Sequence, residues 1–150
     1  MIVPLSLVAM LITPSPISLA SVAIASETVA GQKNYGRADG GQQVLNAYRN
    51  RQSDVIVENV VGTVERVLSD DLEGSRHQRF IIRVASGQTV LVVHNIDLAP
   101  RMDRLRVGDS VSVKGEYEWN DRGGLIHWTH HDPRNVHEGG WIDHNNLRYQ

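Results

Sequence analysis

The chain has 150 residues, 41% of them hydrophobic, with a formal net charge of -2 at pH 7 and no cysteine. That is room for one domain with its own core. The lack of cysteine excludes disulfides, thiolate nucleophiles and Cys-ligated zinc, and the near-neutral charge speaks against a general nucleic-acid coat, which is normally basic.

Residues 1–25 carry no charged side chain and end in Ala23-Ile24-Ala25, a small-x-small pattern. This predicts a secretory signal peptide, a mature chain starting near Ser26, and a periplasmic or secreted protein. Pro4, Pro14 and Pro16 speak against an uncleaved spanning helix, so no stable membrane insertion is expected after cleavage. Residues 26–40, with Gly31, Gly36 and Gly40, read as a flexible linker, and residues 41–150 as the folded domain. Asp39 is placed to cap a short helix over Gln42 to Gln52, with Val44, Leu45 and Tyr48 on one face.

From Asp54 the hydrophobic period becomes two. Val55 to Leu68 is long for one strand, and Gly62 in its middle is the expected site of a bulge. In His77 to Val84, the residues Phe80, Ile82 and Val84 are expected inside, with His77, Arg79, Ile81 and Arg83 outside. The turn Ala85 to Gln88 leads to the strand Thr89 to His94. Asn95 to Arg101 is a connection, and a Gly108-Asp109 turn opens a strand with Val111, Val113, Tyr117 and Trp119 on one side. Asn120 to Gly123 closes a second hairpin onto Leu125 to Thr129. The predicted fold is all-β: a small five-stranded Greek-key barrel of the oligonucleotide/oligosaccharide-binding (OB) type, preceded by one short helix. An open five-stranded meander is the alternative. The C-terminal tail is expected to be irregular, histidine-rich and packed back on the barrel.

Several strings here are long and unusual: Arg76-His77-Gln78-Arg79-Phe80, the run His94 to Arg101, Gly115-Glu116-Tyr117-Glu118-Trp119-Asn120, and Gly124-Leu125-Ile126-His127-Trp128-Thr129-His130-His131-Asp132-Pro133. They resemble the motifs of domain-of-unknown-function family 3465, over roughly Gln42 to Gln150. The resemblance implies a short exported bacterial protein and carries no activity with it.

The chemistry-bearing residues concentrate in Gly123 to His144, which holds five of the seven histidines and two of the three tryptophans. With a four-residue loop at Asn120 to Gly123, Tyr117 faces Ile126 and Gly115 faces Trp128 inside, while Glu118 pairs Leu125, Glu116 pairs His127 and Lys114 pairs Thr129 outside. Glu116 and His127 then form a carboxylate–imidazole couple, able to orient a general base or a metal ligand, or simply to sit as a cross-strand pair. His127, His131 and His137 have zinc-like spacings, but four strand steps separate ligands by about 13 Å. A divalent-metal site, zinc foremost, would instead need His130, His131, Asp132 and His137 to converge through a loop, joined by His94 or His77. No nucleophile-elbow serine and no phosphate-cradling glycine loop occurs.

The first reading is a non-enzymatic exported module that binds a polar or anionic ligand, such as a nucleotide, single-stranded nucleic acid or sugar. It would use His77, Arg79 and Arg83 on the outer barrel face together with the His127 to His137 loop, with Trp128 nearby as a stacking platform. The second is a metal-dependent phosphodiesterase or nuclease using the loop histidines, with Glu116 and His127 as the oriented base. The third is a structural envelope domain that meets another protein.

Overall fold

The computed structural model describes residues 39–150; the predicted signal peptide and nearly all of the predicted linker lie outside them. One helix, α1 (Gly40–Arg49), is followed by seven strands: β1 (Val55–Val67), β2 (His77–Val84), β3 (Thr89–Asn95), β4 (Ser110–Glu118), β5 (Leu125–His127), β6 (Trp141–His144) and β7 (Leu147–Tyr149). The first five strands form a closed barrel in the order β1-β2-β3-β5-β4, with β4 returning to β1. All its pairings are antiparallel except β3 with β5, where Leu91 opposes Leu125 and Val92 opposes Ile126. This is the OB-like barrel expected from the sequence, and the open meander is excluded by the β1–β4 seam.

The barrel closes because β1 is long enough to serve two neighbours. Its first half pairs with β4, its second half with β2, and Gly62 and Thr63 pair with both. The predicted bulge at Gly62 is absent. Gly62 lies in regular register, and a Cβ there would come within 3.0 Å of the Arg83 carbonyl oxygen and of Ile82 Cδ1. The glycine permits close approach of β2. The irregularities fall instead between Val57 and Val60, where Asn59 has φ 57°, and between Val64 and Arg66. Asn tolerates the left-handed region better than β-branched residues do, so the coil is placed at Asn59.

Alternation fills the interior as read: Phe80, Ile82 and Val84 of β2, Val90 and Val92 of β3, and Val111, Val113 and Tyr117 of β4 are buried. Two polar side chains share those inner faces, Gln78 and His94, both essentially inaccessible. Gln78 satisfies itself on the connection after β3, accepting from Met102 N–H at 2.9 Å and donating to its carbonyl at 3.0 Å. That pair of bonds pins the connection so that Met102 and Leu105 enter the core.

Asp39 caps α1 as predicted, accepting from Gly41 N–H at 3.0 Å. The helix starts at Gly40 rather than Gln42 and ends at Arg49, with Asn50 as its C-cap, rather than at Gln52; Gly40 lies so close to β1 that a Cβ would meet the Glu58 carbonyl oxygen at 2.5 Å. Val44 and Ala47 are buried in the core, and Tyr48 packs against it.

The tail is not irregular throughout. Residues 141–149 form a β6–β7 hairpin that pairs with Val111 to Lys114 of β4. Its turn residues Asn145 and Asn146 have φ 50° and 62°, the two positive values that a type I′ hairpin turn requires and that Asn supplies. Ile142 is fully buried, and Arg148 lies 4.0 Å over the Trp141 ring while pairing with Asp143.

Candidate functional site

The site grows from a detour in one strand line. β5 pairs with β4 up to His127 opposite Glu116, and β6 resumes on the same edge with Trp141 opposite Lys114, so only Gly115 separates the two ladders. Residues 128–140 leave and re-enter through a narrow neck. Trp128 makes the exit with φ 51°. Gly115 and Gly140 make the neck possible: a Cβ on Gly115 would lie 2.2 Å from the His127 carbonyl oxygen, and one on Gly140 would lie 2.1 Å from that of Trp128. Gly140 N–H then donates to the His130 carbonyl at 2.9 Å, tying the loop base.

The predicted cross-strand pairs Glu118–Leu125, Tyr117–Ile126 and Glu116–His127 all occur. The two pairs beyond them do not, because the positive φ at Trp128 reverses the alternation. Thr129 turns inward and is buried, its hydroxyl 2.9 Å from His94 Nδ1, while Trp128 turns outward. His94 is therefore a core residue, with Nε2 3.2 Å from the Pro100 carbonyl. A carbonyl only accepts, so Nε2 carries the proton and Nδ1 accepts from Thr129. Burial pushes its pKa down to about 4, keeping it neutral and removing it from any surface metal site.

Within the loop, Asp132 is a scaffold. Its buried carboxylate accepts from Arg134 N–H at 2.9 Å, His137 N–H at 3.0 Å and Val136 N–H. These bonds, Arg134 first, lower its pKa to about 2. His130 and His137 each donate through Nδ1 to the next residue's carbonyl, at 2.8 and 2.9 Å, which leaves each Nε2 for other partners. The Trp128 ring stacks on His137 at 4.2 Å and on His127 at 5.0 Å, and His130 meets His137 edge-on at 5.3 Å.

Between this loop and the outer face of β2 and β3 lies a cavity of about 300 Å³. His77, Val93, Asn95 and Leu98 form one wall; His127, Trp128, His130, Asp132, Arg134, Val136 and His137 form the other. Of the ligand-binding residues expected from the sequence, His77 and Trp128 meet here. Arg79 and Arg83 do not. Arg79 bonds the Ser69 carbonyl through Nε and Nη2, and Arg83 is held by Glu65 and the Gly87 carbonyl.

The expected metal set is also divided. His131 is exposed, Asp132 is engaged by backbone N–H groups, and His137 Nε2 stands 3.8 Å from Asp132. Among the described residues, the side chains that bring three ligand atoms together are Glu116, Glu118 and His127, all within 4.8 Å of one another. His127 Nε2 lies 3.3 Å from Glu116 Oε1 and 3.9 Å from Glu118 Oε1. Burial raises the pKa of Glu116, with Glu118 and Asp54 adding to the rise and His127 opposing it. Glu118 went unread as a site residue, although its place two residues from Glu116 on one strand face was the available signal. Arg134 and Val136 lie within the expected His127–His137 loop, but neither was singled out there.

A family model described as "Protein of unknown function (DUF3465)" matches residues 29–150. The chain belongs to that family. The match begins before the stretch from Gln42 that carries the motifs, and it takes in the whole cavity and the carboxylate–imidazole group of this DUF3465 protein. A search of curated proteins finds no match.

Proposed function

We propose that this DUF3465 protein is an exported binding module that takes a small polar or anionic ligand, such as a nucleotide, the end of a nucleic-acid single strand or a sugar acid. The observation that carries the reading is the cavity of about 300 Å³ between β2–β3 and the 128–140 loop, where His77, His127, His130 and His137 meet Trp128 and Arg134. Its size is that of a small-molecule site. Imidazole and guanidinium N–H groups suit phosphate or carboxylate oxygens, and an indole ring suits the face of a base or the C–H face of a sugar. The outer face of the second and third strands is also where OB barrels present ligands. Export rests on the uncharged apolar segment before Ser26. Among the described residues no helix is long and apolar enough to cross a membrane.

The test is a titration of the full-length chain in the presence of EDTA, followed by tryptophan fluorescence and by ring-proton NMR signals. The probes are inorganic phosphate, a nucleoside monophosphate, a short deoxythymidine oligonucleotide and a hexuronic acid. Saturable binding by one of them is expected, weakened about tenfold or more by Arg134→Ala and His137→Ala. Arg79→Ala, whose guanidinium is engaged by Ser69, should leave the affinity unchanged. Absence of binding at millimolar probe, or affinity lost only in Arg79→Ala, would sink the reading.

A further inference from the structure

Beside the cavity, three electron-pair donors crowd together with little to hold them apart. Glu116 is 8% exposed, and its carboxylate has one polar partner among the described residues, His127 Nε2 at 3.3 Å. That nitrogen is shielded from solvent and makes no well-aligned hydrogen bond. Glu118 brings a second carboxylate to within 3.9 Å of the same nitrogen. Lys114, on the same strand, is turned away to Glu138 at 2.7 Å. A buried carboxylate next to another, with one misaligned partner, is an unfavourable arrangement until a cation joins it.

We propose that Glu116, Glu118 and His127 form a binding site for one divalent transition-metal ion of the zinc type. Zinc takes imidazole nitrogen and carboxylate oxygen at about 2.0–2.2 Å, and two such donors at the tetrahedral angle lie about 3.3 Å apart. The His127–Glu116 separation is already 3.3 Å. Glu118, 30% exposed, stands 3.9 Å from His127 Nε2 and would have to move closer to complete the set. The nitrogen donor selects against calcium and magnesium, which favour all-oxygen shells. Sheet geometry supplies rigidity: Glu116 and His127 are directly opposed on paired strands, and Glu118 follows on the same face. Three protein ligands leave a fourth position open, and His127 belongs also to the cavity wall. The ion thus extends the binding reading by favouring an anionic occupant able to coordinate it. The two stand or fall separately, because the ligand titration is done in chelator.

The experiment uses the full-length chain, stripped with EDTA and dialysed, then equilibrated with zinc in the micromolar range, with cobalt as a visible-absorption reporter of coordination. One zinc per chain is expected, with a four- or five-coordinate cobalt spectrum. Glu118→Gln, tolerated because the side chain is partly exposed, should weaken binding about tenfold or more, and His127→Gln should abolish the cobalt spectrum. The exposed His131→Ala should bind as the parent does. Far-UV circular dichroism checks each fold, and Glu118→Gln carries the test if His127→Gln does not fold. No saturable zinc binding by the folded parent overturns the proposal. So does stoichiometric zinc that survives Glu118→Gln or is lost in His131→Ala.

Discussion

His94 shows how one inward-facing residue sets a property of the whole domain. Its ring is sealed between Thr129 and Pro100 as a neutral hydrogen-bonding plug, and burial brings its pKa to about 4. In the unfolded chain the same ring titrates near 6.5, so between those values the unfolded state binds the extra proton. Its contribution is therefore fully present above about pH 6.5 and is lost as the pH falls toward 4. The shift corresponds to about 3 kcal/mol. Urea unfolding from pH 7 to pH 4 should record a loss of that order, and His94→Asn should flatten the slope in this window. An unchanged slope in the variant would assign the loss to other groups. Gly124 makes a similar point through shape: with φ 83° and Tyr117 in the space of a Cβ, Gly124→Ala should cost about 2–4 kcal/mol in the same assay.

At the level of elements, the β5–loop–β6 line decides what the site contains. The loop returns beside the point where it left because Gly140 fits against Trp128 and Lys114. Gly140→Ala should open that neck. The expected outcome is about 1–3 kcal/mol of destabilisation, with faster amide exchange across 128–139 than across β2 and β3. Protection unchanged in the loop would show that the Asp132 bonds alone hold it. The β6–β7 turn invites the opposite experiment. Asn146 already adopts the positive φ that glycine adopts most easily, so Asn146→Gly should raise stability by up to about 1 kcal/mol, visible as a higher melting temperature.

For the molecule as a whole, the tail is part of the fold. β6 covers the half of β4 that β5 leaves unpaired, and Ile142 on it is fully buried. Ile142→Ala should cost about 2–5 kcal/mol by denaturant unfolding, as for any core residue, whereas a surface appendage would lose almost nothing. Closure also sets the pace of assembly. β1 must find β4 across the intervening β2–β3 hairpin, and such non-local pairing predicts folding in milliseconds to seconds by stopped-flow fluorescence.

Local chemistry made much of this architecture readable from the chain. Period-two alternation placed Phe80, Ile82, Val84, Val111, Val113 and Tyr117 inside, and the length of the Asn120–Gly123 loop set the Glu116–His127 register, because strand faces and short hairpins depend on near neighbours in sequence. The Asp39 cap was legible for the same reason. What only the tertiary structure decided arises where distant segments meet. The left-handed turn at Trp128 sends Thr129, rather than Trp128, to His94. The engagement of Arg79 by the Ser69 carbonyl and of Arg83 by the Glu65 carboxylate depends on groups presented by other segments, and the meeting of His77 with His130 and His137 depends on a loop folded over a sheet. Those contacts answer to packing across the barrel, and spacing along the chain carries no record of them.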